Sequence, residues 1–137
     1  MKAIIVIPTY NEADNIERLI HEIHAVKNDM NVLVVDDNSP DGTAAIVKKM
    51  IKSDVRIHLI ERPGKMGLGT AYCDGFAYSI EKGFEAVFEM DADFSHDPKE
   101  IPAFLKELEN NDLVIGSRYI TGVNVVNWPL SRLLLSY

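Results

Sequence analysis

Phe84-Glu85-Ala86-Val87-Phe88-Glu89-Met90-Asp91-Ala92-Asp93 is the stretch whose reading decides the fold. The apolar run to Met90 reads as a buried strand, so its end delivers Asp91 and Asp93 to the carboxyl edge of a sheet, where open α/β folds bind ligands. Two carboxylates crowded together repel. A hard divalent cation, Mg²⁺ or Mn²⁺, neutralises them and keeps positions free for phosphate oxygens. The alternative is a solvated acidic turn that also caps the following helix.

Upstream the pattern repeats. Asn31-Val32-Leu33-Val34-Val35 is nearly continuous in apolar residues, as expected of a strand buried on both faces, and it stops at Asp36-Asp37-Asn38-Ser39-Pro40-Asp41-Gly42-Thr43. Asn38 to Gly42 is turn chemistry, with Asp41 an N-cap for a helix starting near Thr43, which keeps Asp37 as the ligand candidate. Lys2-Ala3-Ile4-Ile5-Val6-Ile7 reads as the first strand, followed by Pro8-Thr9-Tyr10-Asn11-Glu12 and a helix carrying Ile16, Leu19, Ile20 and Ile23. The stiff Pro8, the flat ring of Tyr10 and the acceptor Glu12 suit a nucleobase. They equally suit a helix start with Asn11 as cap and Glu12 in the first turn.

Strands and helices then alternate. A helix around Ala44–Lys52 precedes a strand at Arg56–Ile60, a glycine-rich loop from Arg62 to Gly69, a helix over Thr70–Lys82 and the acidic strand. Pro98 opens a helix to about Glu109, and Leu113-Val114-Ile115-Gly116 reads as a fifth strand. This order predicts a three-layer α/β/α, Rossmann-like domain over residues 1–137, with a mostly parallel sheet and helices on both faces. The glycine-rich loop lacks the Gly-Lys-Ser/Thr ending of a P-loop and the dinucleotide spacing. It reads as a mobile turn in which Arg62 or Lys65 either faces a diphosphate or is an ordinary exposed charge. Ser95 is within reach of a metal at Asp93, directly or through water; His96 is a ligand or part of the turn. His21, His24 and His58 read as structural surface residues.

A hydrophobic content of 47% lets a chain of 137 residues bury a real core. The apolar start is far shorter than a membrane span and flows into strand pattern, so neither a signal peptide nor a spanning helix is read, and the N-terminus is cytoplasmic in style. The net charge of −7 argues against a nucleic-acid partner. Cys73, the one cysteine, excludes an internal disulfide and reads as a small packing residue in a helix.

Val6-Ile7-Pro8-Thr9-Tyr10-Asn11-Glu12, Val34 to Thr43, Gly64 to Ala71 and Met90 to Pro98 together resemble the ordered motifs of family 2 glycosyltransferases. Within that family they are most similar to the dolichol-phosphate (polyprenyl-phosphate) mannosyltransferases. The resemblance runs along essentially the whole chain. It implies a GT-A fold and inverting, metal-dependent transfer of mannose from GDP-mannose to a dolichyl or polyprenyl phosphate at the cytoplasmic face of a membrane. By position it implies Pro8, Tyr10, Glu12, Val35 and Asp37 around the nucleoside, Asp91 and Asp93 on Mg²⁺ or Mn²⁺, and Ala92 beside the donor. Ser95 falls where some relatives have a glutamine ligand, and Arg118 and Arg132 fall where arginines face phosphate. Asp93, Arg118 and Arg132 are thus the implied catalytic set.

The chemistry implied needs no catalytic base, because a polyprenyl phosphate arrives as an anion. Family members continue beyond this length, and Trp128 to Tyr137 begins an amphipathic pattern without a cap, so the sequence reads as the donor half of a longer enzyme. The terminal stretch suits a membrane interface. A UDP-glucose-type donor, or a nucleotide-sugar-binding module without turnover, are the alternatives within this reading. A phospho-acceptor receiver would require its acidic pair after the first strand and a lysine after the fifth, which this order does not give.

Overall fold

The computed structural model describes residues 1–117. They run β1 (Ala3–Thr9), α1 (Ile16–Val26), β2 (Asn31–Asp36), α2 (Thr43–Ile51), β3 (Ile57–Glu61), α3 (Leu68–Glu81), β4 (Ala86–Glu89), a 3₁₀ turn (Pro98–Glu100) and α4 (Ile101–Leu108). Among these residues the strands form one parallel sheet in the order β3-β2-β1-β4. The chain steps outward from β1 to β3 and then crosses back to place β4 on the other side of β1. The carboxyl ends of β1 and β4 therefore flank the point where the winding reverses, the position at which such sheets open a crevice.

Strand alternation sorts the core into two layers. Ile5, Ile7, Val32, Val34 and Phe88 pack with Ile16, Leu19, Ile20 and Ile23 of α1, Val47 of α2 and Ile101 of α4. Ile4, Val6, Leu33 and Val35 point to the opposite face, where Ala71 and Tyr72 of α3 meet them. The fully apolar β1 and β2 follow from this, since both faces are covered by helices. The apolar residues of α1 recur at helical spacing and form its buried face.

α3 approaches the sheet through small residues. Ala71, Gly75 and Ser79, four apart, are its buried stripe, and the Ser79 hydroxyl turns back to donate to the Gly75 carbonyl at 2.7 Å. A Cβ on Gly75 would overlap Cγ1 of Val6. The glycine is required by this contact with β1, because a side chain there would push α3 off the sheet.

Several expectations are corrected. Leu113–Gly116 is not a strand: Leu113 and Ile115 are 75% and 76% exposed, and no described strand pairs with them. An apolar run has the pattern of a strand but becomes one only where a ladder partner meets it. Asn11 does not cap α1. It adopts φ +57°, and the helix begins after Asn15. Pro98 starts a 3₁₀ turn rather than α4 itself, with the Asp97 carboxylate accepting from the Lys99 N–H at 3.0 Å. Cys73 is exposed on α3 instead of packed, since the helix turns Ala71, Gly75 and Ser79 to the sheet. Arg118, Arg132 and the stretch from Trp128 to Tyr137 lie outside the described residues.

His58 and His24 are structural, as expected, but partly buried rather than on the surface. His58 joins β3 to β2 and α3, with Nε2 3.0 Å from Asn31 Oδ1 and Nδ1 2.8 Å from the Tyr78 hydroxyl. His24 Nε2 lies 2.9 Å from the Met30 carbonyl. Burial, aided by Lys82 and Lys2, pushes His58 below its ordinary value of 6.5. Burial likewise dominates the lowering at His24.

Two outcomes follow from this packing. Gly75→Ala is expected to lower the unfolding free energy by about 1–3 kcal/mol in urea titration, through overpacking against Val6. Both histidines are more easily protonated in the unfolded chain, so stability present above their ordinary value is lost as pH falls below it. The thermal midpoint is expected to drop between about pH 7.5 and 5.5, and His58→Gln to flatten part of that slope.

Candidate active site

The same alternation decides the fates of the adjacent Asp36 and Asp37. Asp36 continues the parity of Val32 and Val34, toward the face of α1 and α2. It is fully buried. Its Oδ1 accepts from the Thr9 hydroxyl at 2.6 Å and the Ser39 hydroxyl at 2.7 Å, and Oδ2 from the Ser39 N–H at 3.0 Å. Ser39 Oγ in turn accepts from the Asn11 N–H at 2.9 Å, so this carboxylate ties the loop after β1 to the loop after β2. Asp37 continues the parity of Leu33 and Val35, toward α3. There it meets Arg62, which grips it with two parallel bonds, Nε to Oδ1 at 2.6 Å and Nη2 to Oδ2 at 2.9 Å.

Arg62 is therefore neither a loop charge nor free to face a diphosphate. It is 5% exposed. Its remaining donors reach the Thr70 hydroxyl at 2.9 Å, Asp74 Oδ2 at 3.2 Å and the Gly67 carbonyl at 3.3 Å. The hydrogen bonds it donates to Asp37, and then the one to Asp74, hold the guanidinium above its usual range against the cost of burial. The glycine-rich segment and the first turns of α3 are anchored by this pair to the end of β2. Lys65, by contrast, is exposed, with its ammonium 4.2 Å from the centre of the Tyr10 ring.

Two further bridges close the upper side. The Asp41 carboxylate, one residue before the Gly42 cap position, accepts from the Thr43 N–H at 3.1 Å and the Ala13 N–H at 3.0 Å. The N-cap is Gly42 rather than the expected Asp41, which instead holds the start of α2 from one residue earlier and also holds the loop before α1. Glu12 gives its N–H to the Thr43 hydroxyl at 3.1 Å and accepts from the Asn15 side chain at 3.0 Å.

After β4, Asp91 also falls on the α3 side. The Tyr72 hydroxyl donates to its Oδ1 at 3.2 Å, and the Asp91 N–H donates to Nδ1 of His96 at 3.1 Å. With Nδ1 accepting, the proton of a neutral His96 sits on Nε2, which leaves no lone pair for a metal; His96 belongs to the turn. Asp93 is exposed and accepts at Oδ1 from the Ser95 N–H at 3.0 Å. Ala92 is buried between the two carboxylates. Ser95 thus meets Asp93 through its backbone.

The described non-glycine residues in the left-handed region are Asn11, Asn38 and Phe94. Each lies in a loop at the carboxyl edge, after β1, β2 and β4 respectively. Asparagine accepts that conformation readily, whereas phenylalanine does so at a cost that its surroundings must offset. Phe94 packs against the main core, and the Arg18 guanidinium lies 4.1 Å from its ring centre.

Pro8, Tyr10, Val35, Asp37 and Asp91 are thereby brought to one lip on the α3 side, with Glu12 in the adjoining loop and Asp93 just beyond the end of β4. Val35 is fully buried beneath it. Among the described residues no group of three or more His, Cys, Asp or Glu converges as a metal cage. Asp91 and Asp93 nonetheless fit a hard cation that takes its other ligands from water and phosphate, since both carboxylates reach solvent. Sequence reading missed Asp36, Tyr72 and the true role of Arg62. Strand parity was a signal for the first; the contacts of the other two are set by the placement of α3.

Residues 4–136 match the family described as Glycosyl transferase family 2. The chain belongs to that family. It is 42% identical over 137 residues to the polyprenol monophosphomannose synthase of Mycolicibacterium smegmatis, covering 98% of this chain and 52% of that protein. It is 41% identical to the undecaprenyl-phosphate mannosyltransferase of Micrococcus luteus, covering 100% of this chain and 56% of that one. With the dolichol-phosphate mannosyltransferase of Pyrococcus furiosus it shares 38% identity, covering 99% of this chain and 38% of the relative. The chain thus spans about half the length, or less, of these curated relatives.

Among solved structures, the mannosyltransferase PcManGT from Pyrobaculum calidifontis, in complex with GDP-Man and Mn²⁺, aligns with a TM-score of 0.68 at 24% identity, over 82% of this chain and 33% of that one. S. aureus TarS 1-349 in complex with UDP-GlcNAc aligns with a TM-score of 0.60 at 23% identity, over 88% of this chain and 38% of that one. Likeness at these identities speaks for the backbone. The fold of this family 2 chain is GT-A-like, as its motif order implies. Among the described residues no helix is long and apolar enough to cross a membrane.

The Asp37–Arg62 pair sets an expectation for stability. Arg62→Leu leaves Asp37 without its partner and is expected to lower the unfolding free energy by on the order of 3 kcal/mol in urea titration. Asp74→Asn, at the exposed end of the network, is expected to cost under about 1 kcal/mol.

Proposed function

We propose that this chain is the donor-binding part of a metal-dependent, inverting glycosyltransferase that moves mannose from GDP-mannose to a dolichyl or polyprenyl phosphate at the cytoplasmic face of a membrane. What chiefly supports the reading is the meeting of Tyr10, Asp37 and Asp91 on one lip at the switch point of the sheet. The lip offers a flat ring, a fixed carboxylate acceptor and a carboxylate for a cation within one crevice. The curated relatives, polyprenyl-phosphate mannosyltransferases by name, support the sugar and the acceptor. Residues 1–137 are taken as one GT-A-like unit.

In this mechanism Pro8, Tyr10 and Val35 shape the nucleoside slot. Asp37 accepts from base N–H groups, its orientation set by Arg62, and Glu12 supplies a second acceptor. Asp91 and Asp93 would hold Mg²⁺ or Mn²⁺, with Ser95 alongside and Ala92 beside the donor. When bound there, such a cation would supply Lewis-acid stabilisation of the diphosphate leaving group. The acceptor phosphate attacks the anomeric carbon as an anion, so no side chain needs to remove a proton. Arg118 and Arg132 carry the role of orienting that phosphate, which guanidinium groups do through paired bonds.

A uridine donor is the second reading, favoured by the UDP-GlcNAc complex of TarS on a similar backbone. Calorimetric titration with GDP, UDP and GDP-mannose, each with Mn²⁺ and with EDTA, separates the two. The expected outcome is metal-dependent binding of the guanine nucleotides and its loss in Asp91→Asn or Asp93→Asn with an unchanged unfolding midpoint. Preference for UDP would move the substrate to another sugar, and undiminished GDP binding in the asparagine variants would remove the metal from Asp91 and Asp93.

A further inference from the structure

Asp91 is held more closely than an exposed loop carboxylate needs to be. Its backbone N–H is committed to His96 and its Oδ1 to the Tyr72 hydroxyl, 19 positions earlier in the chain. A hydrogen bond positions its acceptor only if the donor is itself immobile, and three contacts fix Tyr72. The residue packs against the core formed by Ile4, Val6, Leu33 and Val35. Its ring stacks on Phe76 one turn later, with centres 6.3 Å apart and planes at 23°. The helix that carries it is locked from below by the Gly75 contact with Val6 and from its first turns by Arg62, which bonds Thr70 and Asp74 on either side of Tyr72.

From this geometry we infer that Tyr72 is a positioning residue for the metal site: its hydroxyl holds Asp91 Oδ1 and so presents the other carboxylate oxygen to the divalent cation. Groups that orient a ligand from behind typically change metal affinity about 10–100-fold when removed. The arrangement also joins both halves of the proposed donor site. One helix holds Asp91 through Tyr72, and Asp37 through Arg62.

This inference rests on the proposal that Asp91 binds the cation, and its test distinguishes the two. Mn²⁺ alone is titrated into the unsubstituted chain, Tyr72→Phe and Asp91→Asn, with free Mn²⁺ followed by its electron paramagnetic resonance signal. The unfolding midpoint is recorded alongside. Tyr72→Phe keeps the ring and its stack, so the expected result is Mn²⁺ affinity about tenfold weaker with the midpoint unchanged. Unaltered Mn²⁺ affinity in Tyr72→Phe, with binding abolished in Asp91→Asn, would overturn the role of Tyr72 and leave the metal assignment standing. The same holds if Tyr72→Phe lowers only the midpoint. Unaltered Mn²⁺ affinity in Asp91→Asn, or no Mn²⁺ binding by the unsubstituted chain, would overturn both.

Discussion

A strand presents successive side chains to opposite faces, and in this sheet that two-residue period governs which acids can do chemistry. Asp36 and Asp37 are neighbours in sequence, yet one is sealed beneath the loops after β1 and β2 while the other stands on the α3 side in the grip of Arg62. Carried across the sheet, the same parity puts Pro8 and Asp91 on the side of Asp37. The strand order reverses between β1 and β4, the place where such sheets bind ligands, and these residues meet there. The site is thus a consequence of register as much as of residue choice.

The lip is built from commitments that oppose collapse or drift. Buried Asp36 joins two loops, Asp41 and Thr43 join the starts of α1 and α2, and Arg62 joins β2 to α3. Taking such charges out of water is costly, and the cost is offset only because their hydrogen bonds are nearly complete. Among the described residues no buried side-chain N or O atom lacks a partner. Left-handed Asn11, Asn38 and Phe94 each turn a loop at this edge, so local backbone cost is concentrated where the ligand is expected. Rigidity here has a use: a crevice that is already shaped spends less of its binding energy on ordering loops.

Much of this was legible in the sequence. Continuous apolar runs at Ile4–Ile7 and Val32–Val35 announce strands covered on both faces, and the acids that follow Val35 and Met90 mark the edge that matters. The α/β order and both-face helices follow from alternation. What the sequence hid are contacts set by the placement of α3. Tyr72 sits in a helix whose other aromatic residues, Phe76 and Tyr78, suggest only packing, and its bond to Asp91 depends on how closely Gly75 lets that helix approach. Arg62 stands in a glycine-rich stretch that reads as exposed, yet it completes the end of β3 and turns inward, with its N–H bonded to the Asp36 carbonyl at 2.8 Å. Leu113 to Gly116 shows the opposite error, since apolar composition was present and a pairing partner was not.

In the proposed function, cation and nucleotide come together at the carboxyl edge on the α3 side. Paramagnetic broadening of backbone amide signals by trace Mn²⁺ in the presence of GDP tests it most directly, because the effect falls off steeply with distance from the ion. Loss of signal is expected to centre on residues 91–96 and extend to 10–12, 37–39 and 67–72, with Asp29, Glu85 and Glu109 unaffected. Those last three residues line a concavity at the opposite, amino edge of the sheet. Broadening centred there, or spread evenly over the acidic surface, would contradict the account.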